Sequence, residues 1–144
     1  MPYNSIQMFF RYLDYLKNSK TRYRVHSPFV YSLVEQVLRK QPPFYAFKKI
    51  EKWRDELIED VSEVNLIDLG AGSRRTKSRS VSDIANTALS TKHQSEWLFG
   101  LVNYFEAKTI VELGTSLGVS TAYLAAASNN SLVYTFGYYA LSFH

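Results

Sequence analysis

Apolar positions recur at helical spacing through roughly the first hundred residues, then give way to short β-branched runs. Ile6, Phe9, Phe10, Leu13 and Leu16 lie three or four apart and predict a helix over 5–16, with Asn4 or Ser5 as its cap. Ser27-Pro28 reads as an N-cap followed by a first helical residue. The helix it opens carries Phe29, Val30, Leu33, Val34, Val37 and Leu38 on one face, expected to be buried. Gln41-Pro42-Pro43 ends it. A third helix, about 45–60, aligns Phe47, Ile50, Trp53, Arg54, Leu57 and Ile58 beneath a mixed-charge outer face.

Val64 to Leu69 is an extended apolar stretch leading into Gly70-Ala-Gly-Ser. A short helix, about 83–89, is opened by the capping box Ser80-x-x-Asp83. The next opens at Thr91-x-x-Gln94 and is expected to turn Trp97, Leu98, Leu101, Val102 and Phe105 inward. Thr109 to Leu113 then predicts a buried strand. Gly114 and Gly118 bracket a turn, Val119 to Ala127 is rich in helix formers, and Asn129-Asn130 stops that helix. Leu132 to Phe136 is a second strand. A strand–helix–strand unit of this kind calls for parallel strands and a right-handed crossover. Its turn aims unpaired N–H groups of the helix start at whatever lies above the strand.

Composition narrows the partners. The 144 residues contain no cysteine and only three histidines, His26, His93 and His144, in no metal-ligand spacing, so no metal site is expected. Nothing near the start resembles a signal peptide, and no apolar run reaches membrane-spanning length; the expectation is a cytoplasmic chain with no membrane partner. The net charge of +4 is unevenly spread: residues 1–40 hold seven Lys/Arg against two acids. From Leu113 to Phe143 there is no charged residue at all. An uncharged strand edge lacks the usual protection against pairing with another chain, so self-association through an open sheet edge is expected.

The candidate chemistry gathers at Glu112-Leu-Gly114-Thr115-Ser116-Leu-Gly118-Val-Ser120. The spacing Glu-x-Gly-x-x-x-Gly lacks the middle glycine of the dinucleotide fingerprint. A plainer reading is an ordinary strand-to-helix turn capped by Ser116 or Ser120. A second cluster, Asp68-Leu-Gly70-Ala-Gly72-Ser73, is followed by Arg74, Arg75, Lys77 and Arg79 instead of an apolar-periodic helix. It reads as a basic loop that is solvated or lies over a site. Those four cations suit a phosphate, an acidic substrate or nucleic acid, but the interleaved aromatics of a base-stacking surface are missing, which disfavours nucleic acid. His26, beside the Ser27 cap, can serve as a base or simply pack the turn.

The glycine turn resembles motif I of class I S-adenosylmethionine (SAM)-dependent methyltransferases, most closely the O-methyltransferase-like branch. Glu112, Gly114, Thr115, Ser116, Gly118 and Ser120 stand on matching positions. The order of three stretches, His26-Ser-Pro-Phe-Val-Tyr31, then Asp68 to Ser73, then Glu112 to Gly118, looks like a group of small bacterial members of that family. The likeness spans roughly residues 20–136. It implies SAM as cofactor, with the strand-end acid near the methionine moiety, the glycine turn beneath the cofactor and the serine near the helix start holding the amino-acid end.

The likeness also implies an acid at the end of the second strand for the ribose hydroxyls. Gly137 follows Phe136 here, and no acid occurs beyond Glu112. The expected architecture is α/β: a helical N-terminal region (1–63), the first βαβ unit of a Rossmann-like SAM-binding domain (64–136) with an incomplete sheet, and an atypical tail (137–144). The tail reads as a frameshift or premature end, so the implied methyltransferase would be catalytically incomplete. Its acceptor and catalytic residues are unassigned. The competing expectations are a basic module for an acidic partner or nucleic acid, and a fragment without function.

Overall fold

The computed structural model describes residues 4–19, 26–39, 43–67 and 76–137, and the chain is mixed α/β. It divides at Glu35–Gln36 into two compact units.

In the first unit α1 (Ser5–Asn18) starts at Asn4, with the Asn4 and Gln7 side chains in a reciprocal capping box. None of its residues is buried, and Ile6, Phe9 and Phe10 are each more than half exposed. Helix α2 (Pro28–Leu33) is capped by Ser27, whose Oγ accepts from the Val30 N–H at 3.4 Å. A π-helical segment, Val34–Leu38, continues it past the Glu35–Gln36 boundary, so that Val37 and Leu38 belong to the second unit. The expected burial of Phe29 and Val30 does not occur: both are exposed. A unit of some thirty residues has too little interior to enclose such a face. Of the six positions expected inside, Val37 alone is buried.

The second unit holds the core. Helix α3 (Tyr45–Glu59) buries Phe47, Ile50, Arg54 and Leu57, a single stripe at helical spacing; Trp53 is partly buried and Ile58 is exposed. It packs against α4 (Val81–Ala88) and α6 (Val119–Ala126), and α6 packs against α5 (Lys92–Phe105). Phe47, Ile50, Ile84, Phe99, Val119 and Tyr123 share one apolar cluster.

Helix α5 has the expected Thr91–Gln94 capping box, but its inner face is rotated from the one anticipated. Ser95, Phe99, Gly100 and Val102 are buried, Trp97, Leu98 and Leu101 only partly, and Phe105 is exposed. The cause is aromatic: Phe99 lies 4.9 Å from both Phe44 and Phe47, centroid to centroid, and those rings fix the helix's rotation. Trp97 instead sends its indole N–H to the Leu38 carbonyl at 2.9 Å.

Strands β1 (Glu63–Ile67) and β2 (Thr76–Ser80) form an antiparallel pair, with Glu63 opposite Ser80 and Ile67 opposite Thr76. The second of these strands departs from the expected basic loop. Thr-Lys-Ser-Arg-Ser has no apolar alternation to announce a strand, and the ladder with β1 supplies what the pattern lacks. Asp68 to Arg75, including the glycine cluster, lie outside the described residues. Ser80 caps α4 through its hydroxyl, which accepts from the Asp83 N–H at 3.1 Å. Only that half of the capping box forms, because Arg79 Nε binds Asp83 Oδ2 at 2.6 Å and holds the carboxyl below its usual range.

Strands β3 (Thr109–Leu113) and β4 (Leu132–Phe136) pair in parallel on either side of α6 in the sequence. Their register sets Val111 beside Tyr134 and Glu112 beside Thr135. The expected burial of β3 is not found. Val111 is 61% and Leu113 80% exposed, as are Tyr134 and Phe136 at 51% and 60%. A two-stranded sheet has one face toward α6, and among the described residues nothing covers the other.

Candidate functional site

The site is built where β3 ends and α6 begins. Gly114 and Gly118 have φ of +94° and +83°, the left-handed region that glycine enters without a Cβ clash, which explains their spacing. Ser116 between them is also left-handed, at φ +50°, an uncommon conformation for a residue with a side chain. Its Oγ is buried with no hydrogen-bond partner.

Several backbone donors of the turn are already engaged. The N–H groups of Gly114 and Thr115 point to the Phe136 carbonyl at 2.7 and 3.4 Å, and Gly118 N–H donates to Thr115 O at 2.9 Å. These bonds tie the turn to the end of β4. Helix α6 has Gly118 as its N-cap, with no side-chain cap and no acid in its first turn. Its first-turn N–H groups therefore have no side-chain cap from Gly118.

Glu112 is the centre of the polar cluster. Ser120 Oγ donates to its Oε1 at 2.6 Å, Thr135 Oγ1 to its Oε2 at 2.7 Å, and Thr121 Oγ1 also to Oε2. Thr115 and Thr135 share a hydrogen bond through their hydroxyls. The carboxylate thus joins β3, α6 and β4, and no Lys, Arg or His pairs with it among the described residues.

Of the six sequence candidates, Glu112 and Ser120 bond each other directly and Thr115 joins them through Thr135, while Gly114, Ser116 and Gly118 shape the turn. Thr121 and Thr135 were missed. The signal for Thr135 lay in the register: parallel pairing of two five-residue runs sets it beside Glu112. The missing acid after β4 also has a local reason. A Cβ at Gly137 would lie 2.9 Å from the Thr115 Cβ and Oγ1, so only glycine fits that approach. The room above Gly114 is of the opposite kind, with nothing within 4 Å of a Cβ built there.

A second buried polar cluster lies among the helices. Arg54 Nε contacts both oxygens of Glu51 at 3.1 Å, Nη1 donates to Ser90 O at 2.6 Å, and Nη2 reaches Ser95 Oγ at 3.3 Å. The fully buried Tyr123 donates its hydroxyl to Glu51 Oε1 at 2.9 Å, and burial together with that bond raises its pKa. This cluster connects α3, α5 and α6.

His26 is exposed just before the Ser27 cap. No group of three or more His, Asp or Glu side chains gathers around a metal-sized site among the described residues. None of the described helices is long and apolar enough to cross a membrane. Compared with protein-family models, curated proteins and solved structures, the chain matches none.

Proposed function

We propose that the β3–α6 turn is a SAM site and that the chain carries the cofactor-binding start of a Rossmann-like, class I methyltransferase-type fold. The observation carrying the proposal is the parallel β3–α6–β4 unit, with a cation-free carboxylate at the strand end facing an uncapped helix start. The orphaned Ser116 hydroxyl and the open space above Gly114 fit a ligand's polar end lying over the turn. The α6 amides and Ser116 would hold the carboxylate of the methionine moiety, and Glu112 its ammonium group. When bound, SAM supplies an electrophilic methyl group on its sulfonium. The chain's own part is to fix the orientation of that group, since methyl transfer rests on in-line placement of the acceptor. No acceptor or catalytic residue is assigned.

The ribose end fits less well. Gly137 cannot give way to an acid without displacing Thr115, and a hydrogen bond to a charged group contributes about 1.5–3 kcal/mol. Binding should accordingly be weak. The bare face of β3 and β4 supports self-association as an accompanying property.

The test is titration of the isotopically labelled chain with SAM, read at the backbone amides. The expected result is saturable movement of the Glu112–Ser120 amides with a dissociation constant near 1 mM, corresponding to about −4 kcal/mol. Absence of movement in that segment, or movement confined to residues 68–75, would reject the assignment.

A further inference from the structure

A cleft lies away from the glycine turn, along α3 where it meets the start of α5. It has a volume of about 910 Å3, within the range that accommodates small organic ligands. Phe44, Tyr45 and Phe47 give it aromatic walls, and Lys48, Lys49, Lys52 and Lys92 stand along it. Tyr45 is 86% exposed with its ring 4.4 Å from that of Phe44, so its outer face is open to a ligand, while Phe44 and Phe47 pack on Phe99.

The charges decide which ligand fits. Glu51, in the wall, is compensated by Arg54 and accepts the Tyr123 hydroxyl. Glu96 faces Lys92 at 4.0 Å, and Lys52 pairs with Glu56 at 3.5 Å. Lys48 and Lys49 have no ion pair among the described residues, against Asp55 as the uncompensated carboxylate. The unspent charge of the cleft is therefore positive, next to exposed aromatic surface.

We propose that this cleft binds a small planar aromatic acid, with the ring against Tyr45 and Phe44 and the anionic group attracted by the unpaired Lys48 and Lys49 ammoniums along the cleft. The inference does not depend on the SAM assignment. It uses none of the same residues, and its ligand need not meet the glycine turn.

Isothermal titration with 2-naphthoate tests it, with the neutral isostere 2-naphthamide as control. The acid should bind saturably at one site, and the amide at least about tenfold more weakly, a difference of about 1.4 kcal/mol. Lys48→Glu combined with Lys49→Glu should weaken naphthoate binding by at least about tenfold, with most of the salt dependence lost. Tyr45→Ala should weaken acid and amide alike, because it removes stacking surface only. Circular dichroism of each variant confirms the fold; Lys48→Gln with Lys49→Gln replaces the charge-reversed pair if that pair does not fold. No saturable naphthoate binding, or equal affinity for acid and amide, overturns the proposal. So does binding lost in Phe136→Ser but kept in the lysine variants, since that places the ring on the bare sheet face.

Discussion

Glu51 and Glu112 are both partly buried carboxylates in the second unit, and each gathers several donors, yet their surroundings differ in kind. Glu51 meets a guanidinium: Arg54 holds both of its oxygens, and Tyr123 completes the set. Glu112 meets only neutral hydroxyls, from Ser120, Thr121 and Thr135. Hydroxyl dipoles orient a carboxylate without cancelling its charge, whereas an apposed Arg does cancel it. The first arrangement is complete and joins three helices. The second leaves a net negative charge at the mouth of a turn, beside a helix start without a side-chain cap and an orphaned serine hydroxyl. The two carboxylates are thus distinguished by what is left unpaired around them.

The largest effect expected from this contrast is on stability. Arg54→Ala removes the buried cation and leaves the partly buried Glu51 without its partner. Breaking one side of a buried pair costs about 3–5 kcal/mol. Chemical denaturation should show a loss of that order; a loss under about 1 kcal/mol would mean that the pair behaves like a surface one.

Tyr123→Phe should follow, at about 1.5–3 kcal/mol for a hydrogen bond to a charged group. It should also change the alkaline limb of the stability profile. The Tyr123 pKa is raised in the folded chain, so the neutral phenol is favoured by folding. That contribution is complete below the unfolded value of about 10 and declines as the pH rises past it, because the unfolded chain then ionises first. The stability difference between wild type and Tyr123→Phe should therefore shrink on going from neutral to strongly alkaline pH. A constant difference across that range would contradict the assignment.

How much of this was legible in the sequence follows from how local each feature is. The β3–turn–α6–β4 unit was readable because two β-branched runs, two glycines and an asparagine pair each specify backbone geometry over a few residues. The Asn4, Ser27 and Thr91 caps were readable for the same reason. The face of α5 was not, since its rotation is set by Phe44 and Phe47, about fifty residues earlier. Strand β2 was missed because a polar run gains its structure from pairing with β1. Within the site, Glu112 and Ser120 were legible from motif spacing, while Thr121 and Thr135 needed the helix and the strand register to be placed. The Glu51–Tyr123 bond spans 72 positions and no pattern along the chain announces it.

The uncovered sheet face sharpens the contrast from another side. Val111, Leu113, Tyr134 and Phe136 form an apolar surface with no charged neighbour in sequence after Glu112. Light scattering at increasing concentration should show the chain associating, and Leu113→Lys with Phe136→Lys should reduce it. Association unchanged in that double variant would place the contact elsewhere, the exposed Phe9 and Phe10 of α1 being the other apolar surface to try.

The smallest stability effect should come from Glu112→Gln. The glutamine keeps the shape and much of the hydroxyl bonding, at a cost of about 1 kcal/mol. That mildness makes the variant suitable for the deciding measurement, a SAM titration followed at the Gly114–Ser120 amides in wild type and in Glu112→Gln. If Glu112 is the ligand-facing carboxylate, those amides respond to SAM in the wild type, and the neutral variant loses at least about tenfold in affinity, or about 1.4 kcal/mol. Equal affinity in the two proteins, with the Glu112→Gln fold intact, would contradict the account.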